Sequence, residues 1–434
     1  MKKIVGMLFL LVVVFYHIYP PALQIPVVGN SAIFATGGLG LALYLYHGRP
    51  YTEIIKIVFA WLFFGFTYLI SSYVWMMSDP ASYYINNTRS NIAWLFSAYF
   101  VVYIFFQIYP KGSFFTFLYY IVAAIVLQGI IALLMYRIPA VDDFFRSLQL
   151  PNALQEERMD ATEGERLLGY GIAFFGAGVI YGMGLIVAAF IIIKQKHNLL
   201  RLFFLCAIYA FIFFVGVLTA RTTVVGLAAS IILVLLVKLF DKSSPKGQFL
   251  KFVSFAVIFG VIGYTLIYIY FPEFADWAFE LFINYSETGE LRTSSSDSIE
   301  HMFILPSEFL VWMIGYGDMR FWGSDVGYSR LLIYGGILGT FAFFFYQFVL
   351  ARIAMTKDKG QVFMMLVMLG YVMALNIKGL ADINSFLYLF AFYFLYYRYF
   401  IYTPKLERLG KFNSTKLRYA VQRPSSDRRV QSDV

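Results

Sequence analysis

Long apolar stretches separated by short polar segments run along almost the whole chain. A membrane-spanning helix needs about 20 mostly apolar residues, and stretches of roughly that length recur throughout the sequence. The pattern predicts an all-α integral membrane protein with about 12 transmembrane helices. The predicted spans are residues 4–19, 27–47, 54–77, 92–109, 113–136, 169–193, 201–219, 222–240, 250–271, 329–351, 361–377 and 383–402.

Two of the polar segments, at about 137–168 and 272–328, are long, and alternation of the spans places both on the extracytoplasmic side. The second is rich in Trp and Phe, which favours a folded loop over a disordered one. Residues 272–282 have the pattern of an amphipathic helix. A second helix is expected from about Asp297 to Met313, with Pro306 bending or breaking it.

Composition and charge agree with a membrane location. Hydrophobic residues make up 60% of the chain and charged residues 14%, so much of the surface must face lipid. Most of the Lys and Arg residues fall on one side of the predicted spans, which predicts that both termini are cytoplasmic. We expect one polytopic membrane domain over residues 1–403 and a basic cytoplasmic tail over 404–434. Membrane lipid, rather than nucleic acid, explains the net charge of +9.

Four arginines on the predicted extracytoplasmic side are candidates for anion binding. Arg221 is the charged residue in the short polar break between two apolar stretches, and Arg292, Arg320 and Arg330 belong to the second long loop. A guanidinium group matches phosphate oxygens in a bidentate manner. The alternative is structural: Arg221 reaches the interface from a turn, and the others pair with nearby carboxylates such as Asp325.

Other polar residues of these loops could move protons or line a cavity. His301, Asp318, Asp325 and Glu300 are candidate general acids or bases, and a surface role is the alternative for His301. Lys378 and Asp382 bracket a short extracytoplasmic turn, where they would pair or line one cavity. The sequence lacks the common phosphate-loop, zinc and dinucleotide motifs, so we expect neither a metal nor a cofactor. Small residues four apart, Gly178 with Gly182 and Gly335 with Gly339, predict close helix packing.

Several short motifs resemble those of a known family when they are taken in order. They are VLTARTTVVGLAAS at 217–230, LRTSS at 291–295, GYG at 315–317, SDVGY at 324–328 and YGGILG at 334–339. Together they are similar to the Wzy-type polymerases of the O-antigen polymerase/ligase superfamily, over roughly residues 165–385.

The resemblance implies a GT-C-like polymerase/ligase architecture with a structured periplasmic loop, in the bacterial inner membrane. The implied activity is that of an inverting, metal-independent glycosyltransferase of lipopolysaccharide biosynthesis. It would transfer the growing glycan from undecaprenyl diphosphate to a new lipid-linked repeat unit. Arg221 and Arg292 would then hold the donor diphosphate, Arg320, Arg330 and Lys378 would bind substrate, and His301 or Asp325 would accept a proton. A chain-length regulator and a flippase are the implied protein partners.

Two alternatives stay open. An O-antigen ligase would use lipid A–core as its acceptor, and these motifs separate it poorly from a polymerase. A repeat-unit flippase belongs to a different class, in which internal repeats and interrupted membrane helices are common. The sequence shows neither feature, which favours the enzyme.

Overall fold

The computed structural model describes residues 2–21, 23, 32–47, 52–75, 81–149, 166–172, 174–245, 247–270, 272–290, 299, 301–317 and 323–402. Within these ranges the regular secondary structure is helical, and two isolated β-bridges lie outside the helices. The basic tail predicted over residues 404–434 lies outside the described residues.

The helices follow the order of the apolar stretches in the sequence. In the first half they are α1 (Lys2–Ile18), α2 (Ala32–His47), α3 (Thr52–Trp75), α4 (Ala81–Ile108), α5 (Phe114–Arg137), α6 (Pro139–Ser147), α7 (Phe174–Lys194) and α8 (Leu199–Thr219). In the second half they are α9 (Thr223–Phe240), α10 (Gln248–Tyr270), α11 (Pro272–Thr288), α12 (Phe309–Ile314), α13 (Gly327–Ala354), α14 (Lys359–Leu375) and α15 (Asn384–Tyr396), which continues into a π-helix (Tyr397–Tyr402).

Eight helices of the described part of the chain are long and apolar enough to cross a membrane, namely α3, α4, α5, α7, α8, α9, α10 and α13. Three further apolar helices, α1, α2 and α14, are shorter. The all-α, multi-pass character predicted from the apolar pattern is therefore supported, whereas a total of about 12 spans remains a prediction.

Ion pairs and loop contacts define two opposite faces of the helix bundle. The ammonium group of Lys194, at the end of α7, lies 2.6 Å from Asp241 after α9 and 2.8 Å from Asp358 before α14. We call this end of the bundle the Lys194 face. The opposite end, which holds the start of α7 and the α8–α9 and α14–α15 connections, is the Arg221 face.

Helix α7 is the centre of the bundle. Its apolar segment is 94% buried inside the protein, whereas that of α10 is only 17% buried and belongs to the periphery. Close packing of α7 depends on glycine, because a Cβ at Gly182 would lie 3.1 Å from the Cα of Gly226 in α9. The Tyr371 hydroxyl of α14 also donates to the Gly178 carbonyl, at 3.3 Å. The predicted Gly178 and Gly182 pair thus contributes to helix contacts as small residues do in membranes.

Helix α13 is interrupted at Gly336, where φ is 61° and ψ is −162°. The break leaves the carbonyls of Ile333 and Tyr334 to accept hydrogen bonds from the backbone N–H groups of Tyr316 (2.6 Å) and Gly317 (2.9 Å). The expectation of uninterrupted helices was therefore wrong. Apolar periodicity could not reveal the break, because the partners of these carbonyls come from a loop about 20 residues away in the chain.

The predicted packing role of Gly335 and Gly339 is also corrected. A Cβ at Gly335 would meet nothing within 4 Å, and one at Gly339 would meet only the Thr67 hydroxyl, at 3.6 Å. At Gly336, by contrast, a Cβ would lie 2.4–2.5 Å from the backbone of Met313 and Ile314. The glycine in this motif is thus required by the break in α13 rather than by a regular small-residue stripe.

The second long loop contains the two helical segments expected from its sequence. Helix α11 buries Ala275 and Phe279, and the Phe279 ring centroid lies 5.1 Å from that of Tyr264 in α10. Residues 303–308, which include Pro306, are not helical and separate a short turn at His301 from α12. This is the interruption that Pro306 predicts. The expected helix start at Asp297 lies outside the described residues.

Candidate functional site

Arg221 lies in the three-residue connection between α8 and α9, on the Arg221 face. Helix α8 ends where Ala220 becomes extended, and the backbone N–H of Thr223 bonds to the Ala220 carbonyl (3.0 Å) to start α9. The Leu167 N–H donates to the Leu218 carbonyl at 3.0 Å, which holds the segment that carries Arg166 against this connection. Two guanidinium groups are therefore brought to the same end of the bundle.

Glu280 of α11 is the acidic partner of Arg221. Its carboxylate forms an ion pair with the Arg221 guanidinium, whose side chain is only 10% exposed. The predicted amphipathic character of this helix placed Glu280 on a polar, solvent-facing side. The structure instead turns Glu280 towards the membrane domain, because Phe279 packs on α10 and fixes the rotation of the helix.

The turn between α14 and α15 adds Lys378 to this group. Buried Asn376 shapes the turn: its side-chain amide donates to the carbonyls of Val372 and Ala381, both at 2.9 Å. The Asn376 carbonyl accepts from the Tyr328 N–H at 2.9 Å, which joins the turn to the start of α13. Of the two alternatives predicted for Lys378 and Asp382, pairing does not occur, because the Asp382 carboxylate instead accepts a hydrogen bond from the Asn384 N–H at 3.0 Å.

The charges of Arg166, Arg221 and Lys378 act on one another. Burial and, to a smaller extent, the neighbouring charges of Arg221 and Arg166 together lower the pKa of Lys378 to about 8. Burial also lowers the pKa of Arg221; the Glu280 carboxylate opposes this effect and the Arg166 charge adds to it. We call Arg166, Arg221 and Lys378 the cationic cluster. It has Glu280 as the acidic partner of Arg221.

Asp325 and Arg330 form a separate unit at the start of α13. The Arg330 guanidinium pairs with the Asp325 carboxylate and donates from Nε to the Ser324 carbonyl at 2.6 Å. This is the structural alternative that the sequence left open for Arg330. The unit adjoins the cationic cluster through Tyr328, which bonds to the turn that carries Lys378.

His301 is exposed and lies beside the Asp325–Arg330 unit. The Ser324 hydroxyl donates to the Met302 carbonyl at 2.6 Å, and the Ile304 N–H donates to the Ser329 hydroxyl at 3.0 Å. The structure therefore brings His301 and Asp325, two of the four candidate general acids or bases, to one part of the Arg221 face.

Of the other predicted site residues, Arg292, Arg320, Asp318 and Glu300 lie outside the described residues. Sequence reasoning missed Arg166 and Glu280. Arg166 directly precedes an apolar span and so shares the interfacial position that singled out Arg221, which is a signal that could have found it. Nothing in the local sequence distinguishes Glu280 from the other carboxylates of α11, because its partner is set by tertiary packing.

The cationic cluster is suited to hold an anion at the membrane boundary. Guanidinium and ammonium groups in a partly buried position bind phosphate oxygens through charge-assisted hydrogen bonds. Within the described ranges, no group of three or more His, Cys, Asp or Glu residues could hold a metal ion. Comparisons of the chain with protein-family models, with curated proteins and with solved structures find no match.

Proposed function

We propose that this protein polymerises lipid-linked oligosaccharide repeat units at the Arg221 face. The growing glycan would pass from undecaprenyl diphosphate to a new repeat unit on the same kind of carrier. The observation that carries the proposal is the cationic cluster. Three cations meet at one end of the most buried helix, where the headgroup of a membrane-anchored diphosphate would lie. The sequence resemblance to Wzy-type polymerases supports the same activity.

The chemistry follows from the charges of the site. A hydroxyl of the acceptor sugar attacks the anomeric carbon of the donor, and the bond from that carbon to the diphosphate oxygen breaks. The electron pair goes to the diphosphate, which stays on its lipid. Arg221, Arg166 and Lys378 stabilise the negative charge that develops there. His301 or Asp325 takes the proton from the acceptor hydroxyl, and Arg292 and Arg320 contribute further contacts to the substrates.

The proposal includes a membrane orientation. The Arg221 face is the periplasmic face of the bacterial inner membrane, and both termini are cytoplasmic. The distribution of Lys and Arg supports this orientation, because basic residues accumulate on the Lys194 face, at Lys194, Lys238, Lys242, Lys251, Lys357 and Lys359.

A repeat-unit flippase is the second candidate, and the break in α13 favours it. Helices interrupted within the membrane are frequent at the substrate sites of transporters, and Gly336 interrupts α13 next to the 315–317 loop. Helix α3 holds this loop in place, because the side chains of Ser71 and Trp75 donate hydrogen bonds to the Gly315 carbonyl at 3.2 and 2.8 Å. A transporter would use the cationic cluster to gate the substrate.

The deciding experiment uses the purified protein in liposomes that contain undecaprenyl-diphosphate-linked repeat units and no other enzyme. A ladder of longer glycans, lost in Arg221→Ala and Lys378→Ala, is expected. Arg146→Ala is the matched control, because Arg146 also lies on the Arg221 face but pairs with Asp142 on α6. Movement of substrate across the bilayer without a ladder would identify a flippase. Transfer only when lipid A–core is added would identify a ligase.

A further inference from the structure

A groove of about 480 Å³ runs between α2 and α4, away from the cationic cluster. The bottom of the groove is formed where the backbones of the two helices approach very closely. A Cβ at Gly37 would lie 2.7 Å from the Ala93 carbonyl oxygen, and one at Gly40 would lie 1.8 Å from the Phe96 carbonyl oxygen. Gly38 lies on the rim, where a Cβ would meet nothing within 4 Å. The glycines therefore allow α2 to pack closely against α4, and they leave a groove that no side chain fills.

The groove opens to the lipid-facing side of the bundle. Leu41 and Ile92, which line it, are exposed, as is Leu39 on the neighbouring turn. In a bilayer such apolar positions contact acyl chains. The groove extends from Arg89 to Phe96 along α4, a distance of about 10 Å at the rise of an α-helix. Part of one hydrocarbon chain would fit along it.

A cation lies at one end of this apolar groove. The Arg89 guanidinium lies 4.6 Å from the centroid of the Phe34 ring, across the mouth of the groove. Arg89 is near the Arg221 face, because Asn91, two residues further along α4, accepts a hydrogen bond from the side chain of Asn384, the first residue of α15 (3.2 Å). Arg89 is therefore close to the level at which lipid phosphates are found.

Nothing in the two helices that form the groove neutralises this charge, since neither α2 nor α4 contains Asp or Glu. A lipid-facing Arg within a membrane helix is costly unless it meets an anion or water. A guanidinium group binds phosphate in a bidentate manner. The groove could thus hold the acyl chain of a lipid against its apolar surface, and Arg89 at its end could bind the headgroup of the same lipid.

We propose that the α2–α4 groove binds one anionic phospholipid in the leaflet at the Arg221 face, with a chain along Gly38 and the phosphate on Arg89. The site is independent of the proposed enzymatic activity. An anionic lipid is preferred to a zwitterionic one, because the headgroup of the latter brings its own cation and leaves the Arg89 charge less neutralised.

The test measures lipid that stays bound to the purified full-length protein. The protein is reconstituted in vesicles of phosphatidylcholine and phosphatidylglycerol, extracted in mild detergent and examined by native mass spectrometry. The wild type is expected to retain one phosphatidylglycerol. Arg89→Gln should lower this retention about tenfold, as expected for the loss of a charge-assisted hydrogen bond. Gly38→Leu should lower it similarly by filling the groove.

Gly260→Leu is the control for Gly38→Leu. Gly260 is also on a membrane helix, α10, and a Cβ there would likewise meet nothing within 4 Å, so its retention should equal that of the wild type. Equal retention in the wild type, Arg89→Gln and Gly38→Leu would overturn the proposal. So would retention of phosphatidylcholine as strong as that of phosphatidylglycerol. Loss in Arg89→Gln alone would show that the chain does not lie in the groove.

Discussion

Glu280 reaches from the loop helix α11 to form an ion pair with Arg221 at the junction of α8 and α9. This contact fastens part of the second long loop to the membrane domain. It also places a carboxylate where the proposed substrate would bring its diphosphate. Two anions cannot both be close to one guanidinium group without repulsion, so Glu280 and the substrate are expected to compete for Arg221.

The Glu280→Gln variant tests this competition. Removing the carboxylate should tighten the binding of a diphosphate lipid about fivefold, the effect of one partly exposed ion pair. Binding of a fluorescent polyprenyl diphosphate to the purified protein measures it. Asp142→Asn is the control, because Asp142 pairs with Arg146 on the same face and should leave the affinity unchanged. Weaker binding in Glu280→Gln would show that Glu280 supports the anion site rather than competing for it.

Binding of the same lipid should depend on pH through Lys378. Its pKa is about 8 because it is buried and lies near Arg221 and Arg166. The ammonium group is charged below pH 8, so affinity should be highest there and should fall as the pH rises from 7 to 9. Lys378→Arg stays charged across this range and should bind with little pH dependence. An identical pH profile in the wild type and in Lys378→Arg would exclude Lys378 from the anion site.

Lys378 should also lower the stability of the protein at neutral pH. Its pKa in the folded protein is below the ordinary value of 10.5, so the unfolded chain binds this proton more tightly. Stability is therefore reduced below about pH 8 and recovers as the pH rises from 8 towards 10.5. Lys378→Met should raise the melting temperature at pH 7 while abolishing binding of the diphosphate lipid. A lower melting temperature would mean that the charge of Lys378 stabilises the fold.

The apolar pattern of the sequence located the long apolar helices, because each span must satisfy its own backbone hydrogen bonds within lipid. Predicted and observed bounds agree to within a few residues for α5, α7, α8 and α9. Two of these helices begin at local signals: the Ser113 side chain accepts from the Thr116 N–H at the start of α5, and the Asn198 side chain accepts from the Arg201 N–H at the start of α8. Information of this kind lies within a few residues and can be read from one sequence.

Contacts between residues far apart in the chain could not be predicted from the sequence in the same way. Arg221 and Lys378 were singled out because charges next to apolar spans are rare, but their proximity depends on how α7, α9 and α14 pack. The pairing of Glu280 with Arg221 depends on the rotation of α11 against α10. The break at Gly336 depends on a loop that supplies the missing hydrogen bonds. Each of these contacts joins segments that are far apart in the chain.

The break in α13 should make Gly336 intolerant of any side chain. Its backbone has a positive φ with ψ near 180°, a region restricted to glycine and worth roughly 1–3 kcal/mol of strain in other residues. A Cβ would also collide with the backbone of Met313 and Ile314. Gly336→Ala should therefore lower the free energy of unfolding by more than about 3 kcal/mol.

Gly335→Ala is the matched control for Gly336→Ala. Gly335 is the neighbouring glycine in the same motif, and its added Cβ would meet nothing within 4 Å. Its melting temperature in detergent should therefore stay within about 2 °C of the wild type. Equal destabilisation by the two variants would argue against a specific break at Gly336.

On the opposite face, the two partners of Lys194 should contribute unequally to stability. The side chains of Lys194 and Asp241 are 6% and 5% exposed, whereas that of Asp358 is 43% exposed. Removing Asp241 leaves the buried Lys194 ammonium group with only the more exposed Asp358 as its acidic partner, so Asp241→Asn should cost up to about 3 kcal/mol. Asp358→Asn should cost less than about 1 kcal/mol, because Asn can still accept the N-cap hydrogen bond from the Gln361 N–H.

Thermal unfolding of both variants, followed by tryptophan fluorescence, measures this difference. Burial alone would raise the pKa of Asp241, but hydrogen bonds from Lys194 and Ser243 hold it below its usual value of 3.8. The contribution of Asp241 is therefore fully present above pH 4 and is lost only as the pH falls below that value. The gap between Asp241→Asn and the wild type should then be constant from pH 5 to pH 8. A gap that closes within that range would mean that Asp241 is already protonated in the folded protein near neutral pH and that the ion pair with Lys194 does not form.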